Sequence, residues 1–76
     1  MKRIITYDIV VGNDYSKLYQ IIEKYNGIRI TESTYLLDTS LNFEDFKRII
    51  KSSVSANDKI YVISVNTENK LFYSKI

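Results

Sequence analysis

Asp8 is the residue best placed to do chemistry in this chain. It closes the run Arg3-Ile4-Ile5-Thr6-Tyr7-Asp8-Ile9, where a β-prone strand gives way to a loop, and it is the only acidic residue in that run. A carboxylate there is a hard oxygen donor, suited to Mg²⁺ or Mn²⁺ held beside a phosphate. One carboxylate makes a poor site by itself, whereas a two-fold axis near the strand end would pair the Asp8 of two subunits. The residues alone leave a second role open, in which Asp8 bonds to the backbone of the Ile9–Asn13 turn.

The other acidic positions have more ordinary readings. Asp14 sits where a helix N-cap is expected. Glu32 and Asp38 flank a β-prone stretch and approach Asp8 only if that stretch pairs with the first strand. Lys2, Arg3, Arg29, Lys47, Arg48 and Lys51 are the basic candidates for phosphate contact. Three of these, Lys47, Arg48 and Lys51, gather at a helix end, where the helix dipole already accounts for them. The chain has no His, no Cys and two Gly. That composition removes zinc sites, disulfides, Ser-His-Asp triads and Gly-rich phosphate loops from consideration.

The elements that must position these residues follow from periodicity. The first strand alternates Ile5, Tyr7 and Ile9 against Ile4, Thr6 and Asp8. Gly12-Asn13-Asp14 supplies turn chemistry. Tyr15 to Tyr25 reads as a helix, with Leu18, Ile21, Ile22 and Tyr25 on one face and Gly27 just beyond its end in the left-handed position. Ile28 to Asp38 is extended, with a bulge or tight turn at Glu32-Ser33. Asn42 caps a second helix striped by Phe43, Phe46, Ile49 and Ile50. Lys59 to Val65 is a strongly apolar strand, Asn66 to Asn69 a hairpin turn, and Leu71-Phe72-Tyr73 a possible short fifth strand.

The order β-α-β-β-α-β predicts an α+β, ferredoxin-like sandwich, with two helices on one face of an antiparallel sheet. Two short helices cover one face only, yet the first and last long strands are apolar on both. The open face, carrying Ile5, Tyr7 and Ile9 or else Tyr61, Ile63 and Val65, then calls for a partner, most simply a second copy of the chain. The 76 residues, seven of them Tyr and three Phe, fit one domain, 1–76, with a marginal core. The net charge of +2 neither demands nor excludes nucleic acid. Met1-Lys2-Arg3 leads into a strand rather than an apolar leader, and the absence of Cys suits a reducing compartment, so the expected location is cytoplasmic.

Several of these segments together resemble the CRISPR-associated Cas2 family and its stand-alone relatives, whose plan the VapD toxins share. They are the strand ending in Tyr7-Asp8, the helix closing at Tyr25-Asn26-Gly27, the segment Ile28 to Tyr35, and the strand Asp58-Lys59-Ile60-Tyr61-Val62. The resemblance implies a ferredoxin-like homodimer. Nuclease-active members cut RNA or DNA with Mg²⁺ or Mn²⁺, using the Asp that ends the first strand, here Asp8. Arg3 and Arg29 would then position the nucleic-acid backbone, and Ile5, Tyr7, Ile9, Tyr61 and Ile63 would form the dimer contact. The segment after Val65 departs from the family by its brevity. Members without nuclease activity imply two alternatives: a non-catalytic dimeric interaction module, such as a regulator or inhibitor from a mobile element with a protein partner, or a nucleic-acid scaffold.

Overall fold

The computed structural model describes residues 1–65. The expected turn at Asn66 to Asn69 and the possible strand at Leu71 to Tyr73 lie outside the described residues. Within them the order is β1 (Lys2–Asp8), α1 (Ser16–Lys24), β2 (Ile28–Thr31), β3 (Thr34–Asp38), α2 (Phe43–Ser52) and β4 (Lys59–Val65). The sheet runs β2-β3-β1-β4, and every neighbouring pair is antiparallel. This is the expected α+β, ferredoxin-like arrangement, in which β3 slots between β1 and β2. Among the described residues no helix is long and apolar enough to cross a membrane.

Register decides which side chains meet the helices. Ile5 stands opposite Tyr35 on β3 and Val62 on β4, and Arg3 opposite Leu37 and Ser64. Ile5 and Leu37 are sealed against Leu18 and Ile22 of α1 and Phe46 and Ile50 of α2, and these six form the core. Each such side chain contributes about 1.5–3 kcal/mol by leaving water. The Tyr25 ring meets Phe46 edge-on, with centroids 5.8 Å apart, and so ties the end of α1 to α2.

Helix ends account for two differences from expectation. Asp14 is not the N-cap of α1, because the helix starts one residue later and Tyr15 occupies that position. The Asp14 carboxylate instead accepts from the Ser16 amide at 2.8 Å, an Asx turn that leads the chain into the helix. At the far end the left-handed residue is Asn26, with φ 53°, and not Gly27. Gly27 is needed for space, since a Cβ there would lie 2.5 Å from the Ile22 Cγ2. Asn42 caps α2 as expected, its Oδ1 accepting from the Asp45 amide at 2.9 Å.

The Glu32-Ser33 position holds a tight turn between β2 and β3, and a separate register shift falls between Arg29 and Thr31. Among the described residues no helix packs on the second sheet face. Ile28, Leu36, Ile4 and Ile63 follow one another in register across all four strands and form an aliphatic row on it. Beside that row lie Tyr61, Thr6 and Thr34, where the Thr34 hydroxyl meets that of Thr6 at 3.0 Å. Lys2 and Asp38 close one end of the face with a 3.0 Å ion pair, and Asp8 and Lys59 stand in register at the other end.

Candidate metal and nucleic-acid site

Asp8 ends the central strand at a point where its two neighbours differ. On one side β4 begins with Lys59 directly opposite. On the other, β3 starts at Thr34 opposite Thr6, and the turn before it reaches past, the Tyr7 amide donating to the Ser33 carbonyl at 3.0 Å. That turn brings Glu32 to the end of the sheet. Asp8 and Glu32 line one open cleft of about 370 Å³, walled by Tyr7, Tyr15 and Tyr19. The pairing that would draw Glu32 towards Asp8 is therefore present, while Asp38 lies at the opposite end of β3, held by Lys2 and the terminal ammonium group.

Asp8 is exposed. Among the described residues no hydrogen bond or ion pair engages its carboxylate. The turn that might have satisfied it is satisfied otherwise. The Val10 amide donates to Asp58 at 2.8 Å, and the Asn13 amide donates to the Val10 carbonyl at 3.0 Å. Gly12 allows this turn, with φ +94° in a position that L side chains rarely adopt. Asp58 is the functional residue that sequence reasoning missed. Its carboxylate also accepts from Asn13 Nδ2 at 2.8 Å and from the Ser55 amide at 2.9 Å. It thus clamps the loop after Asp8 to the loop before β4. Partial burial pushes the Asp58 carboxyl up, but these three donors outweigh it and hold the group below its ordinary value. The sequence signal for this was a lone Asp between the polar Ser52 to Asn57 connection and the strand that starts at Lys59.

Tyr7 faces the helices. Its ring stacks on Tyr35 with centroids 6.4 Å apart and planes 7° from parallel. Burial, reinforced by the neighbouring Tyr19 phenol, pushes the Tyr7 phenol well above its ordinary range, so it stays a neutral hydrogen-bond donor. Ile9 likewise packs against the core, and Ile5 is fully buried in it. These three residues are therefore not on the open face. The expectation that placed them on the open face is corrected, because α1 and α2 pack over the odd-numbered side of β1. Tyr61 and Ile63, 65% and 47% exposed, do lie on the open face.

The two arginines separate in the same way. Arg29 is exposed on β2, close enough to Tyr7 for its charge to be felt there. Arg3 is 3% exposed and five residues from Asp8, about 16 Å along an extended strand. Its guanidinium donates to the Ser64 hydroxyl at 2.7 Å and lies 5.6 Å from the centre of the Phe43 ring. Arg3 is a packed residue at the wrong end of β1, and its expected contact with substrate is corrected.

A larger cavity, about 510 Å³, lies between α2 and β4. Phe43, Ile50, Val54 and Val62 line it, with Lys47 and Lys51. Asp58, the carboxylate that lines it among the described residues, is already engaged by Val10, Asn13 and Ser55. Among the described residues no cluster of three or more carboxylates stands ready to hold a metal. The chemistry available at the Asp8 end is that of two oxygen donors, Asp8 and Glu32. Such a set suits a hard cation that keeps several waters.

No curated protein matches the chain. The family model for CRISPR associated protein Cas2 matches residues 1–71. The match spans the Asp8 strand, both helices and all four described strands, and this chain belongs to the CRISPR-associated Cas2 family.

Proposed function

We propose that this protein is a homodimeric, divalent-metal-dependent endonuclease acting on RNA or DNA, with Asp8 as its metal ligand and essential residue. The observation that carries this reading is the state of Asp8: exposed at the end of the central strand, free of internal partners among the described residues, and beside Glu32 in one cleft. A carboxylate that stabilised the fold would be engaged, as Asp58 is. Asp8 and Glu32 would hold Mg²⁺ or Mn²⁺, and a cation so placed neutralises charge on the scissile phosphate and lowers the pKa of bound water. Arg29 and Lys59 are the cations at this end of the sheet that would orient the nucleic-acid backbone.

The homodimer rests on the open face. A row of four aliphatic side chains beside exposed Tyr61 is the kind of patch that marks an interaction surface. Asp8 stands at the end of that face, so a two-fold axis there would bring both copies of the carboxylate to one site. Asp8→Asn is expected to abolish Mn²⁺-dependent cleavage of labelled RNA and DNA while light scattering still gives a dimer. Cleavage unchanged in that variant would remove Asp8 from the reaction.

A second reading, a non-catalytic dimeric interaction module, is supported equally by the aliphatic row and exposed Tyr61 on the open face. It expects no metal-dependent turnover in the wild type and full tolerance of Asp8→Asn in partner binding.

A further inference from the structure

The wall of the Asp8 cleft is aromatic in a way that the metal site does not require. Tyr15 stands at the entry to α1 and Tyr19 one turn later. Their rings meet edge-on with centroids 5.5 Å apart, and both residues remain substantially exposed, at 40% and 44%. Aromatic residues that serve only as core are covered, as Phe46 is, at 0%. Tyr7 lines the same cleft and is itself stacked on Tyr35. The result is a pair of partly exposed rings in the same cleft as Asp8 and Glu32.

We propose that Tyr15 and Tyr19 form a stacking platform for an unpaired nucleobase, seating it in the cleft beside Asp8 and selecting single-stranded over duplex nucleic acid. This rests on the nucleic-acid reading above and adds the determinant of substrate form. The physical basis is that every base has a π-face. A tyrosine pair can therefore bind any base without hydrogen-bond readout, provided the base is free of its stack. In a duplex the bases are stacked on their neighbours, and unstacking one costs a few kcal/mol. Val11, 98% exposed on the turn after Asp8, adds apolar surface at this end of the sheet. Arg29 and Lys59 would orient the backbone, with the scissile phosphate meeting the cation at Asp8 and Glu32 while the neighbouring base turns onto the rings.

The test is binding, read separately from cleavage, by fluorescence anisotropy with labelled single-stranded RNA, single-stranded DNA, a duplex, and an abasic strand of equal length, each with and without Mg²⁺. Tyr15→Leu and Tyr19→Leu are expected to weaken single-strand binding by at least about tenfold each. Tyr15→Phe and Tyr19→Phe should bind as wild type, and duplex affinity should not change. The abasic strand should bind wild type as poorly as the intact strand binds the Leu variants. A loss in the RNA arm alone assigns the base to RNA, and a loss in both arms assigns it to either strand. Leu variants that bind every strand as wild type does, or a wild type that binds intact and abasic strands equally or binds no strand, would overturn the platform. Asp8→Asn reports on cleavage and the Leu variants on affinity, so failure of the nuclease reading and failure of the platform are distinguishable.

Discussion

At the scale of single residues, the carboxylates divide by what their neighbours donate. Asp58 receives three hydrogen bonds and is held below its ordinary value of 3.8, whereas Asp8 receives none among the described residues. A carboxyl whose pKa is lower folded than unfolded stabilises the fold above the unfolded pKa, and that contribution fades as pH falls through the folded value. Asp58→Asn should therefore lower Tm at pH 7. The gap from wild type should narrow as pH drops below 3.8 and close beneath the folded pKa, as followed by circular dichroism melts across pH 2–7. A gap that stayed constant with pH would show that Asp58 acts without its charge. Asp8 was legible in the sequence because strand alternation fixes its position, but its freedom from partners was not. That freedom depends on Asp58, fifty residues away, taking the Val10 amide. The burial of Arg3 was illegible for a related reason, since a cation two residues into a chain reads as solvated until register places it opposite Leu37 and Ser64.

At the scale of elements, the strands and both helices lie within a residue or two of where periodicity puts them, because apolar spacing and capping residues act locally. The errors fall at junctions, where tertiary contact decides. Gly27 shows this well. Its identity suggested a backbone role, yet Asn26 takes the left-handed turn and Gly27 serves to let Ile22 and β2 approach. Gly27→Ala is expected to cost about 1–3 kcal/mol by overpacking, measured by urea unfolding. A neutral result would mean that Ile22 yields at no cost. The sheet face was the harder judgement. Both sides of β1 are apolar, so alternation could not choose between Ile5 and Ile4 for the core. The choice is made by packing, since α1 and α2 close over Ile5 and leave Ile4 on the other face.

At the scale of the whole molecule, the uncovered face should govern association. Ile63→Glu places a charge in the aliphatic row at a position 47% exposed, where the fold tolerates it and a subunit contact does not. The expected result is a dimer dissociation constant raised by about 30-fold or more, corresponding to ~2 kcal/mol. Sedimentation equilibrium would read it, with an unchanged far-ultraviolet spectrum as control. A wild type that is monomeric at micromolar concentration would defeat the dimer itself. The pairing of β1 with β4 carries one more consequence. Lys2 stands opposite Val65 and Asp8 opposite Lys59, so the earliest of the described strands is flanked by the latest of them. As the chain folds, β1 must wait with one edge unpaired, and with Ile5 uncovered by α2, until β4 joins it. Contacts of such long sequence separation slow folding and prolong the exposure of sticky edges. The chain is therefore at its most aggregation-prone while β4 is undocked, and is relieved as that strand closes on β1.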